Sequence, residues 1–352
     1  MLKKSLLLAA LLMLTIGATI HAQDVKRLKI VASFTILEDV VKNIVGDSAD
    51  VDTLVPVDAD PHAYTPTPSD LAKISDADVV FVNGALLEQG LLKTIESSAK
   101  MVVPVSECVD ILPFGSAAQT PVTPEPTDTS DSTAQRCASH VSELDKLGVT
   151  ALSYPVAPLG QLYAINCTAG SGESQDGNCD PHVWFNPYNV ELWALTIRDT
   201  LSALNPDRAD MYAIFAHAYV VQLEMLKKSL NAQVDQLAPE KRVLVTDHDA
   251  LGYFAATFGF KIVGMVVPST STDAEPSAQQ IAGLIDTIKA QHVPAVFAGV
   301  SVNPALAQQV ADEAGAHFYT LYTESLTESS GKAPTYIDMM NTDMQTIVKS
   351  LQ

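Results

Sequence analysis

The sequence predicts an α/β protein with two similar parallel-sheet domains, joined by a long rigid helix and separated by a cleft. Three observations support this fold class. Apolar strand segments alternate with helical patterns between residues 28 and 105, and the alternation restarts after Pro239. Strands that alternate with helices form parallel sheets covered on both faces. Between the two series, residues 207–237 have a helical pattern without glycine or proline, long enough to link two domains.

The first series combines buried strands with helices whose apolar residues recur every three or four positions. In the first helix, Ile36, Val40 and Ile44 share one side, and Gly46 ends it. A second, short helix opens at Pro68, with Leu71 and Ile74 expected to face inward. We expect strands at 28–34, 50–57, 78–82 and 101–105, and helices at 35–45, from 68, and at 86–97.

The later elements follow the same logic. Asn186 and Asn205 each precede a proline, which predicts an N-cap followed by proline at the first helical position. After residue 239, we expect strands at 242–246, 261–267, 295–298 and 317–322, and helices at 250–258, 277–290, 304–314 and 336–351.

The N-terminus predicts export. Lys3 and Lys4 precede the apolar residues 6–16, and small or mixed residues follow up to Ala22. This order is typical of a secretory signal peptide, and the apolar run is shorter than the about 20 residues that span a membrane. We expect cleavage after Ala22, a periplasmic or secreted chain that is not inserted in the membrane, and no lipid anchor, since no cysteine lies near the cut.

These observations divide the chain into four predicted parts. They are a signal peptide at 1–22, an N-terminal α/β domain at 23–205, a linking helix at 206–238 and a C-terminal α/β domain at 239–352. Residues 113–180 are read as an irregular, partly disordered insertion in the first domain, because they contain Pro-, Thr-, Ser- and Gly-rich stretches. A short strand pair is expected within 149–165.

Charge and cysteines restrict the partners and the chemistry. A formal net charge of -20 disfavours nucleic acid and anionic lipid. Four cysteines in an exported chain predict two disulfides with three possible pairings, which would clip the insertion. A four-cysteine zinc site is disfavoured because no C-x₂-C pair occurs. The cysteines are Cys108, Cys137, Cys167 and Cys179.

Three histidines stand in polar turns beside a carboxylate: His62, His182 and His248. Such turns are expected at the carboxyl ends of strands, where open α/β sheets bind ligands. Imidazole is the commonest metal ligand, and zinc favours four nitrogen, sulfur or carboxylate ligands. Alternatively, the aspartates at 60 and 180 serve only to cap turns before proline. The histidines outside the signal and these turns are expected to be structural or exposed: His140, His217, His292 and His317.

The segments 58–70, 180–187 and 246–254 resemble the cluster A-I substrate-binding proteins of metal ABC transporters, which bind zinc and manganese. The first begins Asp58-Ala59-Asp60-Pro61-His62-Ala63-Tyr64, and the second reads Asp180-Pro181-His182-Val183-Trp184-Phe185-Asn186-Pro187. This resemblance implies that His62, His182 and His248 bind a metal between the two domains. It also implies a fourth ligand, Glu324 in Thr323-Glu324-Ser325-Leu326, where the family usually has aspartate.

The resemblance further implies a monomeric, non-catalytic protein that delivers metal to the membrane permease of an ABC transporter. Imidazole-rich ligation favours Zn²⁺, whereas Mn²⁺ favours more oxygen, so manganese or mixed binding is the alternative. Two other classes stay open. A zinc hydrolase would use three histidines and an open coordination position, although no H-E-x-x-H helix is present. A surface adhesin is the second, since some relatives are described as such.

Overall fold

A computed structural model describes residues 27–112, 132–149, 179–269, 272 and 274–352. Its core consists of two four-stranded sheets in which every pair of neighbours is parallel, with strand orders β2-β1-β3-β4 and β6-β5-β7-β8. The predicted fold class, two parallel-sheet α/β domains, is confirmed. The strands are β1 Leu28–Phe34, β2 Ala49–Val55, β3 Val79–Val82, β4 Val102–Pro104, β5 Val243–Thr246, β6 Lys261–Met265, β7 Ala295–Gly299 and β8 His317–Leu321.

The helices of the described residues cover these sheets. They are α1 Thr35–Val45, α2 Pro68–Asp76, α3 Gln89–Ser98, α4 Ser132–Lys146, α5 Pro187–Leu204, α6 Ala209–Val234, α7 Gly252–Phe258, α8 Ala278–Gln291, α9 Ala305–Ala314 and α10 Tyr336–Ser350. Among them, none combines the length and the apolar character that crossing a membrane requires.

The short helix α2 begins as predicted, but one of its two predicted core residues is wrong. The Thr67 side chain accepts from the Asp70 backbone N–H while the Asp70 carboxylate accepts from Thr67, a reciprocal capping box. Ile74 is fully buried, whereas Leu71 is 40% exposed. The buried stripe of this segment runs through residues 70, 74 and 77, and Leu71 lies about 100° away from Asp70 around the helix.

The long helix α6 contains 26 residues, a length of about 39 Å. It packs against α1 and α5, which precede it, and against α10 at the end of the chain. The cap predicted at Asn186 is confirmed, because its side chain accepts from the Tyr188 N–H. The cap predicted at Asn205 is wrong: its side chain makes no capping hydrogen bond, and a 3-10 turn over Pro206–Arg208 precedes α6.

Part of the segment predicted as irregular is a helix. Helix α4 buries Cys137, His140 and Leu144 on one side. It is joined to the first domain by the Cys108–Cys137 disulfide and to α5 by a 2.8 Å contact between His140 Nε2 and Asp199 Oδ2. Cys179 is also disulfide-bonded. Cys167 and most of the expected strand pair at 149–165 lie outside the described residues.

Candidate metal site

Backbone turns at the ends of three strands place three of the four predicted ligands. His62 follows β2, His248 follows β5 and Glu324 follows β8. His182 lies outside the strands, directly before the 3-10 turn Val183–Phe185 that leads into α5. Because parallel strands end at one edge of a sheet, these turns deliver their side chains to the same region between the two sheets.

The four side chains converge on one point. His182 Nε2 lies 3.2 Å from His62 Nε2 and 3.4 Å from His248 Nε2. Glu324 Oε1 lies 3.3 Å from His62 Nε2, 3.5 Å from His182 Nε2 and 2.8 Å from His248 Nε2. All four atoms lie within 4.8 Å of one another. This is the one group of three or more potential metal-binding side chains that the described residues contain.

The site is almost closed to solvent. The side chains of His182 and Glu324 are fully buried, that of His248 is 1% exposed and that of His62 is 6% exposed. His62 is therefore the most exposed of the four side chains. An ion that enters here loses its water, so the four side chains must replace its hydration.

Two of the three histidines have an aspartate of their own turn beside the imidazole ring. Asp180 Oδ1 lies 2.9 Å from His182 Nδ1 and also accepts from the His182 backbone N–H. Asp247 Oδ1 lies 3.1 Å from His248 Nδ1, a close contact without hydrogen-bond alignment, and accepts from the backbone N–H of His248. Carboxylates in this position hold the ring so that Nε2 points towards the metal.

The two oxygens of Glu324 have different surroundings. Oε2 accepts a hydrogen bond of 2.8 Å from the Ser301 hydroxyl. Oε1 is buried, has no hydrogen-bond partner among the described atoms and faces the three imidazoles. A buried carboxylate oxygen without a donor is costly unless a cation or a protonated group approaches it.

The charges of the site compensate one another. Burial opposes ionisation of Glu324, but the three histidines outweigh it and hold the pKa of this carboxyl well below its usual range. Burial also disfavours the charged form of His248, yet the carboxylates of Asp247 and Glu324 raise its pKa well above the ordinary value. The pKa of His182 is likewise raised by Asp180 and Glu324 against the effect of burial. Without metal, the site thus attracts protons that a cation has to displace.

Residues that precede α6 hold the segment that carries Glu324. Trp184 Nε1 donates to the carbonyl oxygen of Thr323 at 2.9 Å. On the other side of Glu324, the Asp58 N–H donates to Ser325 Oγ at 2.8 Å, and the Leu326 N–H donates to the Thr35 hydroxyl at 2.9 Å. The backbone on both sides of the fourth side chain is therefore fixed to the first domain.

A second connection between the domains runs through Tyr253 of α7. Its hydroxyl accepts from the Leu112 N–H at 2.8 Å and donates to the Asp180 carbonyl oxygen at 3.3 Å. Gly252 permits this approach, because a Cβ at that position would lie 2.4 Å from Asp180 Oδ2. The aspartate that orients His182 is thus packed directly against the second domain.

The structure brings all four predicted side chains together and leaves the other described histidines apart. His140 is buried against Asp199, and His217 is exposed on α6. Neither Ser301 nor the anchoring roles of Trp184 and Tyr253 were predicted from the sequence. Trp184 and Tyr253 lie within the segments that carry the family resemblance, which was the available signal for them, whereas no pattern in the sequence singles out Ser301.

Comparison with known proteins places this geometry in context. The profile of the family described as "Zinc-uptake complex component A periplasmic" matches residues 30–350. The manganese-binding lipoprotein MntA of Halalkalibacterium halodurans is 31% identical over 332 residues, which cover 94% of this chain and 90% of that protein. The iron-binding protein YfeA of Yersinia pestis is 29% identical, with 92% and 86% covered.

Solved structures agree with the fold. A manganese-bound variant of a periplasmic metal binding protein from Candidatus Liberibacter asiaticus matches with a TM-score of 0.69 and 26% identity, over 93% of this chain and all of that one. The periplasmic zinc binding protein TroA of Treponema pallidum matches with a TM-score of 0.69 at 24% identity, over 93% and 99%. Several relatives are named lipoproteins, which conflicts with our expectation of no lipid anchor; the first cysteine of this chain is Cys108.

Proposed function

The chain belongs to the periplasmic zinc-uptake complex component A family, and from that premise we propose that it captures Zn²⁺ and delivers it to the membrane permease of an ABC transporter. This family comprises substrate-binding proteins, so the chain is a binding protein and not an enzyme. The zinc hydrolase considered from the sequence is thereby set aside. The metal is cargo that must be bound tightly and then released.

The convergence of three imidazole nitrogens and one carboxylate oxygen carries the proposal. In a tetrahedral zinc site, ligand bonds of about 2.0–2.2 Å place neighbouring ligand atoms about 1.6 times that distance apart, or about 3.3–3.6 Å. Five of the six separations in this site are 2.8–3.5 Å. We infer that His62, His182, His248 and Glu324 bind the ion, each through one atom.

The choice of zinc over manganese rests on the ligand types. Three imidazoles suit zinc, whereas Mn²⁺ prefers carboxylate, carbonyl and water oxygens in octahedral geometry. Here the Ser301 hydroxyl donates a hydrogen bond to the second carboxylate oxygen of Glu324, so three imidazole nitrogens and one carboxylate oxygen face the centre of the site. Manganese or iron is the second candidate cargo, and it is favoured by the names of the relatives at 31% and 29% identity.

We propose that the chain acts in the periplasm or outside the cell after removal of residues 1–22, as a monomer between its rounds of docking to the permease. The parts of the chain at 23–205 and 239–352 each supply two ligands in this scheme, and the helix predicted at 206–238 links them.

Competition titration tests the proposal. Metal-free protein is titrated with Zn²⁺ and separately with Mn²⁺ against chromophoric chelators of known affinity, and elemental analysis counts the bound ions. We expect one tight zinc equivalent per chain and weaker manganese binding. Tighter manganese binding would replace zinc by the second candidate, and two tight zinc equivalents would contradict a single site.

A further inference from the structure

Ser301 donates a hydrogen bond to the carboxylate of Glu324. Within the described part of the chain, it makes no hydrogen bond to any of the three histidines. It lies in the turn after β7, and its hydroxyl donates to Oε2 at 2.8 Å. The other oxygen, Oε1, faces all three imidazole nitrogens at 2.8–3.5 Å. Glu324 therefore presents Oε1 to the three imidazoles, while its Oε2 accepts a hydrogen bond from Ser301.

The turn that carries Ser301 is itself held in place. The Val300 N–H donates to the Leu321 carbonyl oxygen of β8 at 2.9 Å, and the Gly299 N–H donates to Asp247 Oδ2 at 2.9 Å. Position 299 also needs glycine, since a Cβ there would lie 2.2 Å from Thr323 Oγ1. These contacts fix the serine hydroxyl relative to both Glu324 and the aspartate beside His248.

We propose that Ser301 is a positioning residue that keeps Glu324 a one-oxygen ligand and thereby biases the site towards Zn²⁺ over Mn²⁺. The inference rests on the proposed function, because it assigns a selectivity role within the same site. It does not require that the parent protein prefer zinc, only that Ser301 shift the preference in that direction.

The physical reason lies in the number of oxygens offered to the ion. A carboxylate that binds through both oxygens adds a fifth ligand atom, which Mn²⁺ accepts readily and tetrahedral Zn²⁺ does not need. A hydrogen bond to a charged group is among the stronger ones, and its loss leaves a buried oxygen unsatisfied. When Ser301 is present, rotation of Oε2 towards the metal breaks this hydrogen bond. When Ser301 is replaced by alanine, the same rotation gives the buried Oε2 a partner in the metal ion.

The test compares Ser301→Ala with the parent through the ratio of Zn²⁺ to Mn²⁺ affinity. We expect this ratio to fall about tenfold, which corresponds to about 1.4 kcal/mol. Ser301→Thr retains the hydroxyl and should restore the parent ratio. Ser325→Ala is the matched control: it removes a hydroxyl beside Glu324 that accepts from the Asp58 N–H, so it should weaken both metals together without changing their ratio.

Spectroscopy reports the coordination directly. Bound Co²⁺ absorbs strongly in the visible range when four-coordinate and weakly when the coordination number rises. We expect strong absorption for the parent, Ser301→Thr and Ser325→Ala, and weaker absorption for Ser301→Ala. An unchanged affinity ratio in Ser301→Ala, or an equal change in Ser325→Ala, would overturn the inference. If the parent protein binds Mn²⁺ more tightly than Zn²⁺, zinc is not the cargo. In that case a still lower ratio of Zn²⁺ to Mn²⁺ affinity in Ser301→Ala would nevertheless support the role of Ser301.

Discussion

Replacing His248 by alanine tests the ligand set most directly. The change removes a nitrogen that lies 2.8 Å from Glu324 Oε1 and 3.4 Å from His182 Nε2. Structural zinc sites with four ligands bind with about 10–16 kcal/mol, which shared equally is about 2.5–4 kcal/mol per ligand. The loss of binding free energy is reduced because a water can enter the vacated space next to the polar Asp247 and serve as the fourth ligand. We therefore expect about a hundredfold loss of zinc affinity, the lower end of that range.

The assay is competition with a chromophoric chelator on metal-free protein at constant pH. His217→Ala is the matched control, because that histidine is exposed on α6 and its removal should leave the affinity at the parent value. Thermal unfolding of both metal-free variants checks that the fold is intact. His248 is not a ligand if His248→Ala binds zinc like the parent, and the effect is not specific to the site if His217→Ala loses as much affinity.

Three further predictions concern an orienting carboxylate, a buried acid and the disulfide. Asp180→Asn weakens the hold on His182 and should lower zinc affinity about 10- to 100-fold in the same competition assay, and a parent-like affinity would contradict that role. Burial raises the pKa of Asp343 to about 7, so the folded chain retains a proton that the unfolded chain releases near pH 4. The free energy of unfolding should therefore fall as the pH rises from about 4 to 7. Burial also raises the pKa of Asp39 to about 6 and that of Glu191 to about 8, so Asp343→Asn should reduce this fall without removing it. The substitution should stabilise the metal-free protein at pH 8 by up to about 4 kcal/mol, measured by denaturant titration at pH 5 and 8. The Cys108–Cys137 bridge spans 29 residues, so replacing both cysteines by serine should cost about 3–4 kcal/mol of unfolding free energy, and no loss would show that the bridge does not constrain the unfolded chain.

The alternation of strands and helices could be predicted best at the central strands β1, β3, β5 and β7, which are mostly apolar and almost wholly buried. Strands inside a parallel sheet show this pattern, and a helix such as α1 buries one side, so local pattern and fold agree there. Helix α4 was not predicted because its buried positions are Cys137, His140 and Leu144, of which only Leu144 is aliphatic, so the one-sided apolar pattern is weak. The failed cap at Asn205 has a local cause: its φ of -139° and ψ of 77° lead into a separate 3-10 turn before α6 begins.

In the site, too, residues could be predicted when their partners lie close to them in the chain, and could not be predicted when their partners lie far away. The aspartates beside His182 and His248 lie one or two positions away in the chain, so the polar turns were visible in the sequence. Glu324 was found only through the family resemblance, because nothing in its immediate surroundings distinguishes it from an exposed acid after a strand. Ser301 is 23 residues from the carboxylate that it contacts, a distance over which a lone serine carries no pattern.

The position of Glu324 explains why its geometry depends on both domains. Its neighbours in the chain are fixed by three hydrogen bonds to Trp184, Asp58 and Thr35, which all precede α6. Its carboxylate, in contrast, is held by Ser301 of the second sheet's edge. Each neutral hydrogen bond contributes about 1 kcal/mol net, so these three bonds, two to the backbone and one to the Ser325 hydroxyl, together contribute about 3 kcal/mol against separation of the domains. The segment that carries Glu324 is therefore held from both sides of the cleft, so the position of Oε1 relative to the imidazoles depends on contacts of both domains.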